Sequence, residues 1–104
     1  MGGLCLWVDD LRPAPEGWHH AKSFDEAIKV ILGEDVDEIS LDHDLGDTQV
    51  PERTGYTIVV LLAERVASGL PIPRRIHVHS ANPVGRERII GVIRRYMPGT
   101  WQSQ

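Results

Sequence analysis

The sequence predicts an α/β fold in three layers, α/β/α, with a short parallel sheet of about four strands. Three observations carry this expectation. Short apolar runs at residues 4–8, 37–41 and 75–79 have the length of buried strands. Stretches with apolar residues at helical spacing separate them. Strands that alternate with helices pair in parallel through right-handed crossovers, which bring their carboxyl ends to one edge of the sheet.

Taken in order, LCLWV at residues 4–8 is a continuous apolar run closed by Asp9 and Asp10, the pattern of a strand covered on both faces. Its single cysteine, Cys5, excludes an internal disulfide and reads as a buried structural thiol. Residues 11–18, LRPAPEGW, hold two prolines and a glycine and form a loop. Residues 19–22 suit a short edge strand. Ser23 and Glu26 make a capping box, and Ala27, Ile28, Ile31 and Leu32 follow at helical spacing until Gly33.

Residues 37–41 read as a second buried strand that stops at Asp42. Residues 44–53, polar and broken by Gly46 and Pro51, are an exposed loop, with Asp47 in a solvated turn. From Thr54 a helix places Ile58, Leu61, Leu62 and Val66 on its packing face and closes near Gly69. Pro71 and Pro73 precede the third buried strand. Asn82 then caps a helix with Pro83 in its first position, and Ile89, Ile90, Ile93 and Met97 form its apolar stripe. Pro98 and Gly99 end it, leaving residues 98–104 as a tail in which Trp101 could cover the sheet edge.

Composition sets bounds on function. With 104 residues, 41% hydrophobic and 25% charged, the chain suits one domain spanning residues 1–104. A net charge of −4 argues against general binding of duplex DNA, although paired arginines at 74 and 75, 86 and 88, and 94 and 95 allow a local basic patch. The opening residues lack the pattern of a signal peptide, a membrane span or a myristoylation site, so a cytoplasmic protein without membrane contact is expected.

The chemistry gathers at the strand ends. Asp9 and Asp10, then Asp42 and Asp44, then His79, Ser80 and Asn82 fall at one sheet edge. Two carboxylates 4 Å apart in a partly screened site repel by about 4 kcal/mol, a large share of a small domain's stability. A shared proton, Arg12, or a divalent cation can offset this, and loop-borne oxygen ligands suit Mg²⁺. We therefore expect Mg²⁺, or another divalent cation, among Asp9, Asp10, Asp42 and Asp44. His43 and His79 are candidate proton carriers beside Asp42. Arg12, Ser80, Asn82 and Arg86 are candidate phosphate ligands, the last two at a helix N-terminus whose dipole favours anions.

These residues resemble the receiver domain of two-component signalling, through LWVDD, Asp42 and Ser80-Ala81. A narrower resemblance, carried by VDDLRPAP, SLDHDLG, TGY and VHSANPVGRE, is to the cyclic-phosphate-processing receiver domains, and it spans Leu4 to about Tyr96. It implies a receiver-like strand order 2-1-3-4 without the fifth strand. It also implies Mg²⁺ held by Asp9, Asp10 and Asp42 with a backbone carbonyl from Asp44, and Ser80 on the phosphoryl group. Arg12, His43, His79 and Asn82 join the site. No lysine follows Lys29, so the receiver's usual cationic partner is absent.

Three functions remain open from sequence. One is a metal-dependent phosphoesterase acting on a phosphorylated small molecule, or on a cyclic-phosphate nucleotide or RNA end. The second is a binding module that meets a protein partner or a homodimer mate through the exposed sheet edge. The third is a phosphoacceptor at Asp42. A small domain of this kind suits a bacterium or its phage.

Overall fold

A computed structural model describes residues 3–45 and 54–101. The elements run β1 (Leu4–Val8), β2 (His19–Ala21), α1 (Phe24–Gly33), β3 (Val36–Leu41), α2 (Gly55–Ala67), β4 (Arg75–Val78) and α3 (Pro83–Tyr96), followed by a 3₁₀ turn at Pro98–Thr100. All four strands are parallel, in the order β2-β1-β3-β4. The α/β class, the parallel sheet and its order agree with the sequence.

Local chemistry sets the helix boundaries. The Ser23 hydroxyl accepts the Glu26 N–H at 3.1 Å, and the Glu26 carboxylate accepts the Lys22 N–H at 2.8 Å, so the capping box closes around the start of α1. Asn82 accepts the Gly85 N–H at 3.1 Å, with Pro83 in the first turn of α3. Gly69, at φ 72°, occupies the left-handed region just beyond α2, where a side chain would be strained.

Strand register aligns Leu6, Ile39 and Ile76 in one row and Val8, Leu41 and Val78 in the next, all essentially inaccessible to solvent. These rows form one cluster with Ala27 and Ile31 of α1, Ile58, Val59 and Leu62 of α2, and Ile89, Ile90 and Ile93 of α3. The three helices therefore lie on the same face of the sheet. The opposite face carries Cys5, Trp7, Glu38, Ser40 and His77, and all but Ser40 are half-buried.

On that second face the expected helical layer is replaced by the loop at 11–18, whose prolines cannot wind into a helix. Trp18 from this loop meets Trp7 edge-on at 6.2 Å and His77 at 6.3 Å. The first strand is thus buried on one side only, and Cys5 is not a core thiol. Its Sγ lies 3.8 Å from Glu38 Oε1, and the other oxygen of that carboxylate pairs with His77 Nε2.

Three helix positions differ from the apolar stripes. Leu32 and Val66 are exposed, and Leu61 is half-buried outside the core cluster, where Val59 packs instead. Leu45, expected in an exposed loop, is buried in the core. The rest of that loop, including Asp47, lies outside the described residues. At the far edge, Trp101 forms a parallel bridge with Ile76 of β4, covering part of that edge. Among the described residues no helix is long and apolar enough to cross a membrane.

Candidate functional site

Asp9, Asp42 and His79 are each the first residue beyond a strand, and the ladder continues through them. Asp9 N–H donates to Ala21, Asp42 N–H to Val8 and His79 N–H to Leu41, at 3.0 to 3.1 Å. Their positions are therefore fixed by the sheet, with β1, β3 and β4 as neighbours. One carboxylate oxygen each from Asp9, Asp10 and Asp42 lies within 4.8 Å of the others.

Asp9 is the most constrained. Only 1% exposed, it accepts the Leu11 and Arg12 N–H groups on Oδ1 at 2.8 and 2.9 Å, and it holds His79 Nε2 on Oδ2 at 3.0 Å. Burial pushes its carboxyl up, but the Arg12 and Leu11 N–H groups together with His79 outweigh this, so its pKa falls below the ordinary value. Asp42 moves the other way: burial raises its pKa and the Asp9 charge adds to the rise, against bonds from the Ser80 side chain and the Asp44 N–H.

His79 has both nitrogens occupied. Asp9 is ionised and can only accept, so Nε2 carries the proton; Nδ1 then accepts from the Ser40 hydroxyl at 2.7 Å. The Trp7 indole stacks on the ring, and the Trp7 N–H donates to the Arg12 carbonyl at 3.1 Å. Burial lowers the His79 pKa despite the pull of Asp9 and Asp42.

The remaining sequence candidates divide into two groups. Ser80 contacts Asp42 and accepts the Asn82 N–H at 3.1 Å. The Asn82 amide also reaches the Asp44 carboxylate at 3.4 Å. Asp44 itself is exposed and turns toward His43 Nδ1 at 2.9 Å, so its carboxylate stands outside the group of three. The His43 ring packs over Gly85 at the start of α3, where a Cβ would come within 2.3 Å of it, and among the described residues its Nε2 has no partner. Arg12 sends its guanidinium to the His79 carbonyl at 3.0 Å rather than to an acid. Arg86 stands half-buried one turn into α3.

Sequence reasoning missed Trp7, Ser40 and His20, whose Nε2 lies 2.7 Å from the Asp9 carbonyl. The signal was present: Trp7 and Ser40 sit two residues before Asp9 and Asp42, on the same side of their strands.

Among the described residues no lysine or arginine forms an ion pair with Asp9, Asp10 or Asp42. Three hard oxygen donors within reach of one another are a donor set suited to a divalent cation, so the residues fit one.

A family model described as the cyclic-phosphate processing receiver domain matches residues 4–95. The chain belongs to that family. This cyclic-phosphate processing receiver domain keeps the acidic strand ends on a sheet whose described helices share one face. No curated protein and no solved structure matches it.

Proposed function

We propose that this domain binds a divalent cation through Asp9, Asp10 and Asp42 and uses the site to bind and open a cyclic phosphoester. The observation that supports the reading is the grouping of three carboxylates with no lysine or arginine paired to them among the described residues, in a chain of a cyclic-phosphate processing family. A bound Mg²⁺ supplies charge neutralisation and Lewis acidity toward phosphoryl oxygens.

The chain's own residues have separable tasks. Asp9, locked by two backbone N–H groups and His79, orients the acidic group. His79 is a positioning residue, since both its nitrogens are engaged. Opening the ring adds water across one P–O ester bond: the water oxygen bonds phosphorus and the ester oxygen leaves. His43, with Nε2 unpartnered among the described residues, is the group assigned to give that oxygen a proton and regain one from the water. Ser80, the N-terminus of α3 and Arg86 hold the anion.

The test combines melting with ³¹P NMR. Mg²⁺ raises the melting temperature, Asp42→Asn abolishes the rise, and a 2′,3′-cyclic nucleotide is opened to a monoester only with Mg²⁺ and His43 present. A melting temperature indifferent to Mg²⁺ defeats the reading. The engagement of His79 also favours a second one, cation-dependent binding without turnover, which the same experiment reports as melting shifts with an intact cyclic phosphate.

A further inference from the structure

Helix α3 carries Arg86, Arg88, Arg94 and Arg95 against a single acid, Glu87, in a chain of net charge −4. Two of these arginines border the groove between α2 and α3. The Arg88 guanidinium lies over the Tyr56 ring, 4.3 Å from its centroid, and that of Arg95 over Tyr96 at 5.5 Å. Among the described residues neither is in an ion pair. Val60, Ala63 and Val92 floor the groove. Its two hollows, about 340 and 370 Å³, are within the size of small-ligand sites.

The groove begins beside the residue that packs on the acidic group. Gly55, the first residue of α2, packs so closely on the Asp42 carbonyl that a Cβ would sit 2.2 Å from it, and Tyr56 is the next residue. From Arg88 to Arg95 is seven residues, about 10 Å along the helix. That length lets the two guanidinium groups meet two phosphates of one strand, and Glu64 lines the lower hollow, where it repels further anions.

We propose that this groove seats a single-stranded RNA segment leading away from the acidic pocket, with Arg88 and Arg95 on two phosphates and a base on Tyr96. The inference rests on the phosphoester reading of the pocket. Alternating arginine and tyrosine is the chemistry of single-strand binding, where bases stack on rings and cations follow the backbone. RNA is the occupant because a 2′,3′-cyclic phosphate requires the 2′-hydroxyl, so a polymer bearing that end is RNA.

The test is calorimetric titration with uridine 2′,3′-cyclic phosphate and with a pentauridylate carrying the same end. We expect the pentamer to bind at least about fivefold more tightly, with a log–log salt slope steeper by about 1.4 for two phosphates, or about sevenfold more affinity lost between 50 and 200 mM salt. Arg88→Gln with Arg95→Gln removes both differences and leaves the mononucleotide unchanged; both side chains are exposed, and an unchanged melting temperature verifies folding. Affinity independent of length, a double variant that still favours the pentamer, or equal competition by a polyglutamate peptide overturns the groove. Mononucleotide binding that is lost in Asp42→Asn, with no effect of length, keeps the pocket and rejects the groove. Pentamer binding that needs both arginines but ignores Mg²⁺ and Asp42→Asn keeps the groove and rejects the pocket.

Discussion

The Trp7 indole lies flat on the His79 imidazole, ring centroids 3.9 Å apart and planes within 5°. With Asp9 and Ser40 at its two nitrogens, the ring is held on one face and both polar edges. Burial keeps its folded-state pKa below the ordinary 6.5. The unfolded chain then binds the proton more readily, so the stabilising contribution is complete above 6.5 and is lost as pH falls from there through the folded value. Urea unfolding from pH 7.5 downward is expected to show wild type losing more stability below 6.5 than His79→Gln. Parallel profiles would mean that the ring titrates like a free histidine.

Neutralising Asp42 should act in opposite directions with and without metal. Burial and the charge of Asp9 both make its ionised form unfavourable in the folded state. In EDTA at neutral pH, Asp42→Asn is expected to melt a few degrees above wild type. In millimolar Mg²⁺ the order reverses, because only wild type gains from the cation. Differential scanning calorimetry under both conditions reads this directly, and a variant less stable in EDTA contradicts it.

Gly55 and Gly85 make similar close approaches with different consequences. A Cβ at residue 85 meets the His43 ring, a side chain that can rotate away; one at residue 55 meets the Asp42 backbone, which the sheet holds. Alanine in place of helical glycine gains about 1 kcal/mol of propensity, whereas overpacking costs about 1–3 kcal/mol. Gly85→Ala is therefore expected to be near neutral in stability but to displace His43 and impair any proton transfer. Gly55→Ala should destabilise by about 2 kcal/mol or more. Chemical denaturation of the two variants, side by side, checks the order.

Much of this architecture is legible in the sequence because its signals are local. Ser23 with Glu26, and Asn82 with Gly85, mark helix starts through hydrogen bonds formed within four residues, the second beside the favourable first-turn Pro83. Parallel strands then force Asp9, Asp42 and His79 to one edge. The sidedness of the sheet was harder to see. LCLWV reads as apolar throughout since cysteine and tryptophan count as hydrophobes, yet Cys5 and Trp7 share the wetter face. The alternation was plainer in β3 and β4, where Glu38 and Ser40, then His77, interleave with Ile39, Leu41 and Ile76. The partners of His79 could not be read from spacing, because Asp9 and Ser40 reach it from 70 and 39 residues away.

That separation along the chain bears on how the molecule matures. Asp9 and Asp10 follow β1 and Asp42 follows β3, so the acidic group forms only when those two strands pair in register, and β4 then brings His79 against Asp9. Any gain from binding accrues only to chains in which that pairing has formed. A proteolytic nick that let β4 drift would strip Asp9 of its imidazole partner and leave the three carboxylates on β1 and β3, so the last strand governs how firmly the acids are held rather than whether they meet.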